Sequence, residues 1–309
     1  MPLDHYVSQV HLKNFYSPIL GNRMYAIRKS DLKEFTPDAN SVCRIEDNST
    51  IHFLDNPREI EGFLQEIEPL YNKSINKLAE YKIDYECIHA IAGFVAYILT
   101  CSPTALRLNS SHLTHPVEAA AMQLDKNGVI PPAPPELGGM KLSELLVNGK
   151  VDIKITDKKF PQAIGVYNIR ELTSRLASFK WEILHNTYDD TSPFFTCDFP
   201  IAFEITSQGL FNKIVPLSPK LAIRIIPTLA IKTKKSNNHI KRKLNYSDVQ
   251  QVNRLVVRCA EDLVFYRDNH NWIPLFVRKN SKYHIKPTAV KLPNGNKQLI
   301  ITSHIVSEI

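Results

Sequence analysis

The sequence contains none of the standard catalytic signatures. The dinucleotide loop GxGxxG, the phosphate loop GxxxxGK[ST], the nucleophile elbow GxSxG and the zinc-protease motif HExxH are all absent. Glycine is also scarce, with 10 residues in 309. Because a phosphate-cradling loop needs glycine wherever the backbone must approach its ligand closely, this scarcity argues against a Gly-rich phosphate site and against a propeller.

The chain also lacks paired cysteines and long apolar runs. Its five cysteines are an odd number, and no two are spaced as CxxC, which argues against a disulfide framework or a zinc ribbon. Residues 1–15 have no apolar signal-peptide region. The most apolar run, 87–101, is shorter than the roughly 20 residues of a membrane span. We therefore expect a cytoplasmic protein, with reduced cysteines, that does not enter the membrane.

What the sequence does contain is an ordinary globular composition with an excess of base. Hydrophobic residues make up 43% and charged residues 22%, and the formal net charge is +7. This composition can bury a sizeable core, and the charge favours anionic partners such as nucleic acid. We expect a single domain over 1–309. The proline-rich stretch 131–135 also allows a division into a mainly helical part, 1–130, and a sheet-plus-helix part, 136–309.

Hydrophobic periodicity predicts an α+β fold. We expect a helical region in the N-terminal half, packed on a mostly antiparallel sheet built mainly from the C-terminal half, with an N-terminal strand. Pro103 is expected to stop one helix and Thr114 to cap the next. The predicted helices cover 56–80, 86–100, 114–128 and 168–180, with a late helix capped by Ser247 or Asp248; the predicted strands cover 24–28, 50–54, 181–184, 194–196, 201–205, 214–217, 221–226 and 299–302.

The opening stretch, residues 5–15, brings two imidazoles close together. If this stretch is a strand, His5 and His11 lie on the same face. There they can act as a general acid and base or bind a metal. They can equally serve as structural residues that bond to loop carbonyls.

Asp198 is a second unusual polar residue, since apolar strand residues flank it on both sides. A carboxylate in such a position is costly unless it is paired or hydrogen-bonded. The following Phe199-Pro200 ends or bends the strand just after it. Asp198 is therefore either an active-site carboxylate at a strand end or the acceptor of a turn.

The late helix supplies a third candidate. Asn253 falls at the edge of the buried face, where a side-chain amide needs a partner. Arg254 lies further round, where it can contact phosphate or only solvent. Glu61 and Glu68 share one face of an earlier helix, where carboxylates can hold a divalent metal or simply form a solvated stripe.

The tract 232–243 holds six Lys or Arg residues and no acid. It is either a phosphate-contacting loop or a solvated hairpin, and no aromatic residue interrupts it to indicate base stacking. Its candidate binding residues are Lys234, Lys235, Lys241, Arg242 and Lys243.

Five stretches together resemble one bacterial family, the domain of unknown function numbered 4238. Its members open with H-[FY]-[VI]-P-x-x-Y-L-[KR]-x-F, which matches residues 5–15. They continue with a W-x-[VIL] strand and F-[IL]-T-S-D-x-P, matched by 181–183 and 195–200, then P-L-[ST]-P at 216–219 and N-R-x at 253–255. This sequence departs from the pattern at Ser8, His11 and Cys197, where Pro, Tyr and Ser are usual. The resemblance covers residues 5 to about 265.

The resemblance brings no established activity, but His5, Asp198 and Asn253 fall on motif positions and could converge in one pocket. Proteins of this type look like bacterial effectors in phage defence or toxins. One hypothesis is therefore a nuclease-like effector, in which these three residues are catalytic and Arg254 contacts phosphate, with a divalent metal as an open question. The alternative is a non-catalytic binding or regulatory partner of another protein, in which the same residues are structural ties.

Overall fold

The computed structural model describes residues 3–206, 211–227, 239–291 and 299–307. Short extended segments open the chain, helices follow, and strands dominate from residue 180 onward. The helices are α1 (Gln9–Leu12), α2 (Glu59–Ala79), α3 (Tyr85–Cys101), α4 (Pro103–Lys126), α5 (Leu142–Val147), α6 (Lys159–Tyr167), α7 (Ile169–Ser178), α8 (Tyr246–Cys259) and α9 (Ile273–Asn280).

The strands form four sheets in the described residues, and most neighbours are antiparallel. The strands are β1 (Leu3–His5), β2 (Tyr25–Arg28), β3 (Glu34–Phe35), β4 (Arg44–Glu46), β5 (Lys180–Asn186), β6 (Thr196–Cys197), β7 (Ala202–Ile205), β8 (Phe211–Ser218), β9 (Leu221–Ile226), β10 (His239–Leu244), β11 (Leu263–Tyr266), β12 (Tyr283–Lys291) and β13 (Leu299–Ser307). The largest sheet has the order β10-β5-β9-β8-β7, in which β10 and β5 are parallel. A second sheet has the order β3-β2-β11-β6, and β1-β4 and β12-β13 form separate pairs. The fold class is α+β, as predicted.

The core is continuous from Val7 to Ile285, and α3 is its central helix. Asp84 caps α3 by accepting the backbone N–H of Cys87 at 2.8 Å, and nearly every face of the helix is buried. Gly93 lets α2 approach closely, because a Cβ there would lie 2.9 Å from the side chain of Ile67. All five cysteines are buried and free.

The predicted opening strand is wrong beyond His5. β1 ends at His5, and the chain turns into α1 from Gln9. The helical turn sends His11, Leu12 and Phe15 into the core together, which a strand of period two cannot do. His5 and His11 consequently do not share a strand face.

Several further elements differ from those predicted. A single helix, α4, spans Pro103 to Lys126, because Ser102 caps it by accepting the N–H of Ala105 at 3.2 Å and proline suits a first helical position. Pro116 therefore lies inside that helix rather than near its start. The late helix is capped by Asn245, two or three residues before the predicted Ser247 or Asp248, and Asn245 accepts the N–H of Asp248 at 2.8 Å. Residues 50–54 form turns, not a strand, and α5 and α6 were not predicted.

In the described part of the chain, no single helix has the length and apolar character needed to cross a membrane. The pair α3 and α4, which meet at a bend of 65°, would pass by length and composition only when taken together. α3 is enclosed by the rest of the protein core.

Candidate functional site

His5 lies half-buried at the end of β1, beside an open groove of about 430 Å³. Its Nε2 is 3.0 Å from the side-chain amide of Gln9, and burial lowers the pKa of its imidazole. Glu61 and Glu68 of α2 and Lys13 also line the groove. His5 is thus a titratable group within reach of solvent and of carboxylates.

The carboxylates of Glu61 and Glu68 both interact with neighbouring side chains. Glu61 lies 3.4 Å from Arg58, and Glu68 accepts a short hydrogen bond from the hydroxyl of Ser8. Among the residues that the structure describes, no group of three or more His, Cys, Asp or Glu side chains is arranged to hold a metal ion.

His11, in contrast, is fully buried. Its Nδ1 lies 2.8 Å from the hydroxyl of Tyr71 and its Nε2 lies 2.7 Å from that of Thr196, while its ring stacks on Phe94 with centroids 4.8 Å apart. Burial lowers the pKa of His11 to about 3. The imidazole is therefore neutral near neutral pH, and it joins the N-terminal segment to α2 and β6.

Asp198 is buried just after β6 and accepts three backbone hydrogen bonds. Its donors are the N–H groups of Glu261, Asp262 and Leu263, at 2.8–2.9 Å. Burial raises the pKa of this carboxyl to about 6, although the three amides and the nearby Lys29 lower it. The arrangement anchors the turn between α8 and β11 to the end of β6.

The neighbouring Lys29 anchors the same turn from its other side. Its buried ammonium donates to the backbone carbonyls of Ala260 at 2.6 Å and Tyr283 at 2.9 Å. The carboxylate thus binds N–H groups of the turn and the ammonium binds the C=O of Ala260 in it, so that these buried backbone atoms are satisfied. The ammonium also joins this turn to Tyr283 of β12.

Asn253 is the third motif residue, and it is fully buried. Its Oδ1 accepts the N–H of Phe195 at 3.0 Å, and its Nδ2 donates to the carbonyl of Pro193 at 2.8 Å. Both ends of the amide are therefore used to hold the segment before β6 against α8.

The structure brings Asp198 and Asn253 to the same region, residues 193–198, but each binds backbone atoms in a sealed environment. His5 lies apart, in the groove, and within the described residues no hydrogen bond joins any two of the three side chains. Access of a substrate to Asp198 or Asn253 requires these backbone bonds to open, whereas His5 is accessible as it stands. The catalytic roles of all three residues stay predictions.

The predicted phosphate-binding residues are partly described. Lys241, Arg242 and Lys243 are exposed on β10, the edge strand of the largest sheet. Arg242 lies 3.6 Å from Glu182. Arg254 is half-buried on α8 and donates to the side chain of Gln251 at 2.7 Å. Lys234 and Lys235 lie outside the described residues.

Sequence reasoning missed a second basic segment, although the signal was present. Residues 269–307 contain six Lys or Arg residues and no Asp or Glu. Their members Arg278, Lys279, Lys282 and Lys286 are exposed on α9, on the turn after it and on β12. β10, α9 and β12 all pack against α8, so the two basic segments share one supporting helix.

The fold, together with the buried hydrogen bonds of His11, Asp198 and Asn253, defines an α+β protein whose helical region and sheets meet in one core. This chain belongs to the family described as Protein of unknown function (DUF4238), which matches residues 4–270. No curated protein and no solved structure matches it.

Proposed function

We propose that this protein is an effector that binds nucleic acid through its C-terminal quarter. The distribution of charge is the observation that carries the proposal. Residues 232–309 contain 15 Lys or Arg and 5 Asp or Glu residues, a net charge of +10, so residues 1–231 have a net charge of −3. A protein whose excess charge lies on one part of its chain attracts a polyanion to that part.

The exposure of the basic side chains supports the same proposal. Four lysines are exposed: Lys241 and Lys243 on β10, Lys279 on α9 and Lys282 just after α9. Within the described residues, none of the four forms an ion pair with an acidic side chain. Lysines without acidic partners keep their charge available for phosphate oxygens. Contacts between lysines and phosphates do not depend on the nucleotide sequence, and they weaken as the salt concentration rises.

The test is fluorescence anisotropy with labelled DNA and RNA across a series of salt concentrations. We expect binding that weakens steeply with salt, and a loss of about tenfold or more when Lys279→Glu and Lys282→Glu are combined. Lys126→Glu, an exposed lysine of α4, is the matched control and should change affinity little. Binding that is insensitive to salt, or equally affected by the control, would contradict the proposal.

A second candidate function is cleavage of the bound nucleic acid, with His5 transferring a proton. The observation in its favour is that His5 opens onto a groove beside Glu61 and Glu68. A half-buried imidazole in such a setting can act as a general acid or base. We also propose a cytoplasmic location, because five free buried cysteines are typical of a reducing compartment. Such a location would give this activity access to nucleic acid.

Cleavage is tested by incubating the protein with RNA and DNA, with and without Mg²⁺ or Mn²⁺. His5→Gln should abolish cleavage and leave binding unchanged, while His52→Gln, at an exposed position, should affect neither. Intact substrates under every condition would remove the catalytic candidate and leave a non-catalytic binding protein, the alternative that the sequence also allows.

A further inference from the structure

The carboxyl ends of two parallel strands place an aromatic pair beside the basic edge of the largest sheet. β5 and β10 are parallel and in register, with Asn186 opposite Leu244. Two residues beyond this pair, the chain carries Tyr188 after β5 and Tyr246 after β10. Because both strands end at the same level, the two tyrosines meet there.

The tyrosine rings contact each other while keeping much of their surface open. Their centroids are 5.8 Å apart with an angle of 81° between the planes, and the residues are 39% and 47% exposed. Aromatic side chains carry large apolar areas that are normally buried. Many aromatic residues of this protein are fully buried in its core, in contrast to these two tyrosines. An exposed pair therefore leaves ring faces that a planar ligand can cover.

Basic side chains lead up to this pair along β10. Lys241 and Lys243 are exposed, and two residues apart on a strand they point to the same face. Lys243 pairs with His185 of β5, and burial, followed by the charges of these two lysines, lowers the pKa of that histidine. The lysines and the end of β5 are therefore close in space.

Two of the acids near the tyrosine pair, Asp189 and Glu182, are paired with basic side chains. Asp189, next to Tyr188, is buried and lies 3.3 Å from Arg267 and 3.4 Å from Lys220. Glu182 lies 2.6 Å from Arg224. Asp190 is exposed and Asp248, in the first turn of α8, is half-buried, and neither forms an ion pair among the described residues.

We propose that this edge, formed by Lys241, Lys243, Tyr188 and Tyr246, binds single-stranded nucleic acid. The lysines contact phosphates, and the tyrosines stack on unpaired bases. A duplex offers phosphates to the lysines but keeps its bases stacked inside, so it gains nothing from the tyrosines. The inference rests on the proposed function and adds to it the class of nucleic acid that is preferred.

The experiment compares a labelled single-stranded oligonucleotide, poly(dT) or poly(U), with a duplex of equal length. The variants are the double substitution Tyr188→Leu and Tyr246→Leu, and the control Tyr167→Leu, an exposed tyrosine of α6. Because each base that stacks on an aromatic side chain contributes to binding, the double variant should bind the single strand about tenfold or more weakly. Its salt dependence should stay that of the wild type, and duplex binding should not change.

A second pair of substitutions separates charge from stacking. Lys241→Gln with Lys243→Gln should weaken both nucleic acids and lower the salt dependence of binding by about one phosphate contact per lysine. Circular dichroism and melting temperature check that every variant is folded.

The outcomes distinguish the two proposals. If the wild type binds neither nucleic acid, both fail. If it binds in a salt-dependent way but does not prefer single strands, or if the tyrosine double variant binds them normally, the binding function stands and the single-strand inference is overturned.

Discussion

The buried His11 makes a prediction about how stability depends on pH. Its pKa is about 3 in the folded protein, whereas an imidazole in the unfolded chain has a pKa of about 6.5. Because the folded-state value is the lower one, the contribution of His11 to stability is complete above about pH 6.5. It is lost progressively as the pH falls towards 3, since the unfolded state then binds a proton that the folded state does not.

The size of this loss follows from the two pKa values. Between about pH 8 and about pH 5, the unfolded imidazole becomes protonated and the folded one does not, which costs about 2 kcal/mol of unfolding free energy. His11→Gln removes the titrating group while keeping an amide that can face Tyr71 and Thr196. We expect this variant to be less stable than the wild type at about pH 8, because the ring contact with Phe94 is lost.

The assay is urea denaturation of the wild type, His11→Gln and the control His52→Gln, each at both pH values. Apart from the exposed His52, which the control lacks, the other titrating groups are common to all three proteins, so their effects cancel in the comparison. The wild type and the control should lose about 2 kcal/mol more than His11→Gln on acidification. Equal losses in all three proteins would refute the assignment of a neutral, buried His11.

The remaining predictions concern the polar ties and the close helix contact. Asp198→Ala leaves three backbone amides without their acceptor and should lower the unfolding free energy by about 3 kcal/mol, measured by urea denaturation near pH 8. Asn253→Ala should cost about 2 kcal/mol for the same reason, and wild-type stability in either variant would show that the residue is not a tie. Gly165→Ala should destabilise by about 1–3 kcal/mol, because its Cβ would lie 2.7 Å from the side chain of Thr100. Gly62→Ala, in a helix and with no neighbour within 4 Å, should instead stabilise by up to about 1 kcal/mol; equal effects of the two alanines on melting temperature would contradict this account.

Local patterns were enough to predict the elements whose burial repeats along the chain. α2, α3 and the strands β5, β8 and β9 each have the apolar spacing or the continuous apolar run of a buried element, and their predicted positions are confirmed within a few residues. The predicted helix start at Thr114 was wrong because proline at position 103 has two local meanings: it prevents the preceding helix from continuing and favours the start of a new one. Only the cap from Ser102 and the packing of α4 decide between these meanings.

The roles of the polar motif residues could not be predicted, because their partners are distant in the sequence. His11 bonds to a hydroxyl 185 residues away, and Asn253 bonds to an amide 58 residues away. The sequence indicates only that such residues need partners, not whether those partners are backbone atoms or a substrate. The same limit hid the tyrosine pair, since Tyr188 and Tyr246 come together only through the parallel register of β5 and β10.

The polar ties and the proposed binding edge are mechanically connected. The segment that carries Tyr188 returns to the core through Pro193 and Phe195, which Asn253 binds, and Tyr246 begins the same helix on which Asn253 lies. One buried amide therefore fixes the two chain segments whose tyrosines must stay in contact for stacking. Hydrogen bonds of this kind affect binding without contacting the ligand, because they position the side chains that contact it. The buried motif residues can thus be structural and still support the proposed binding.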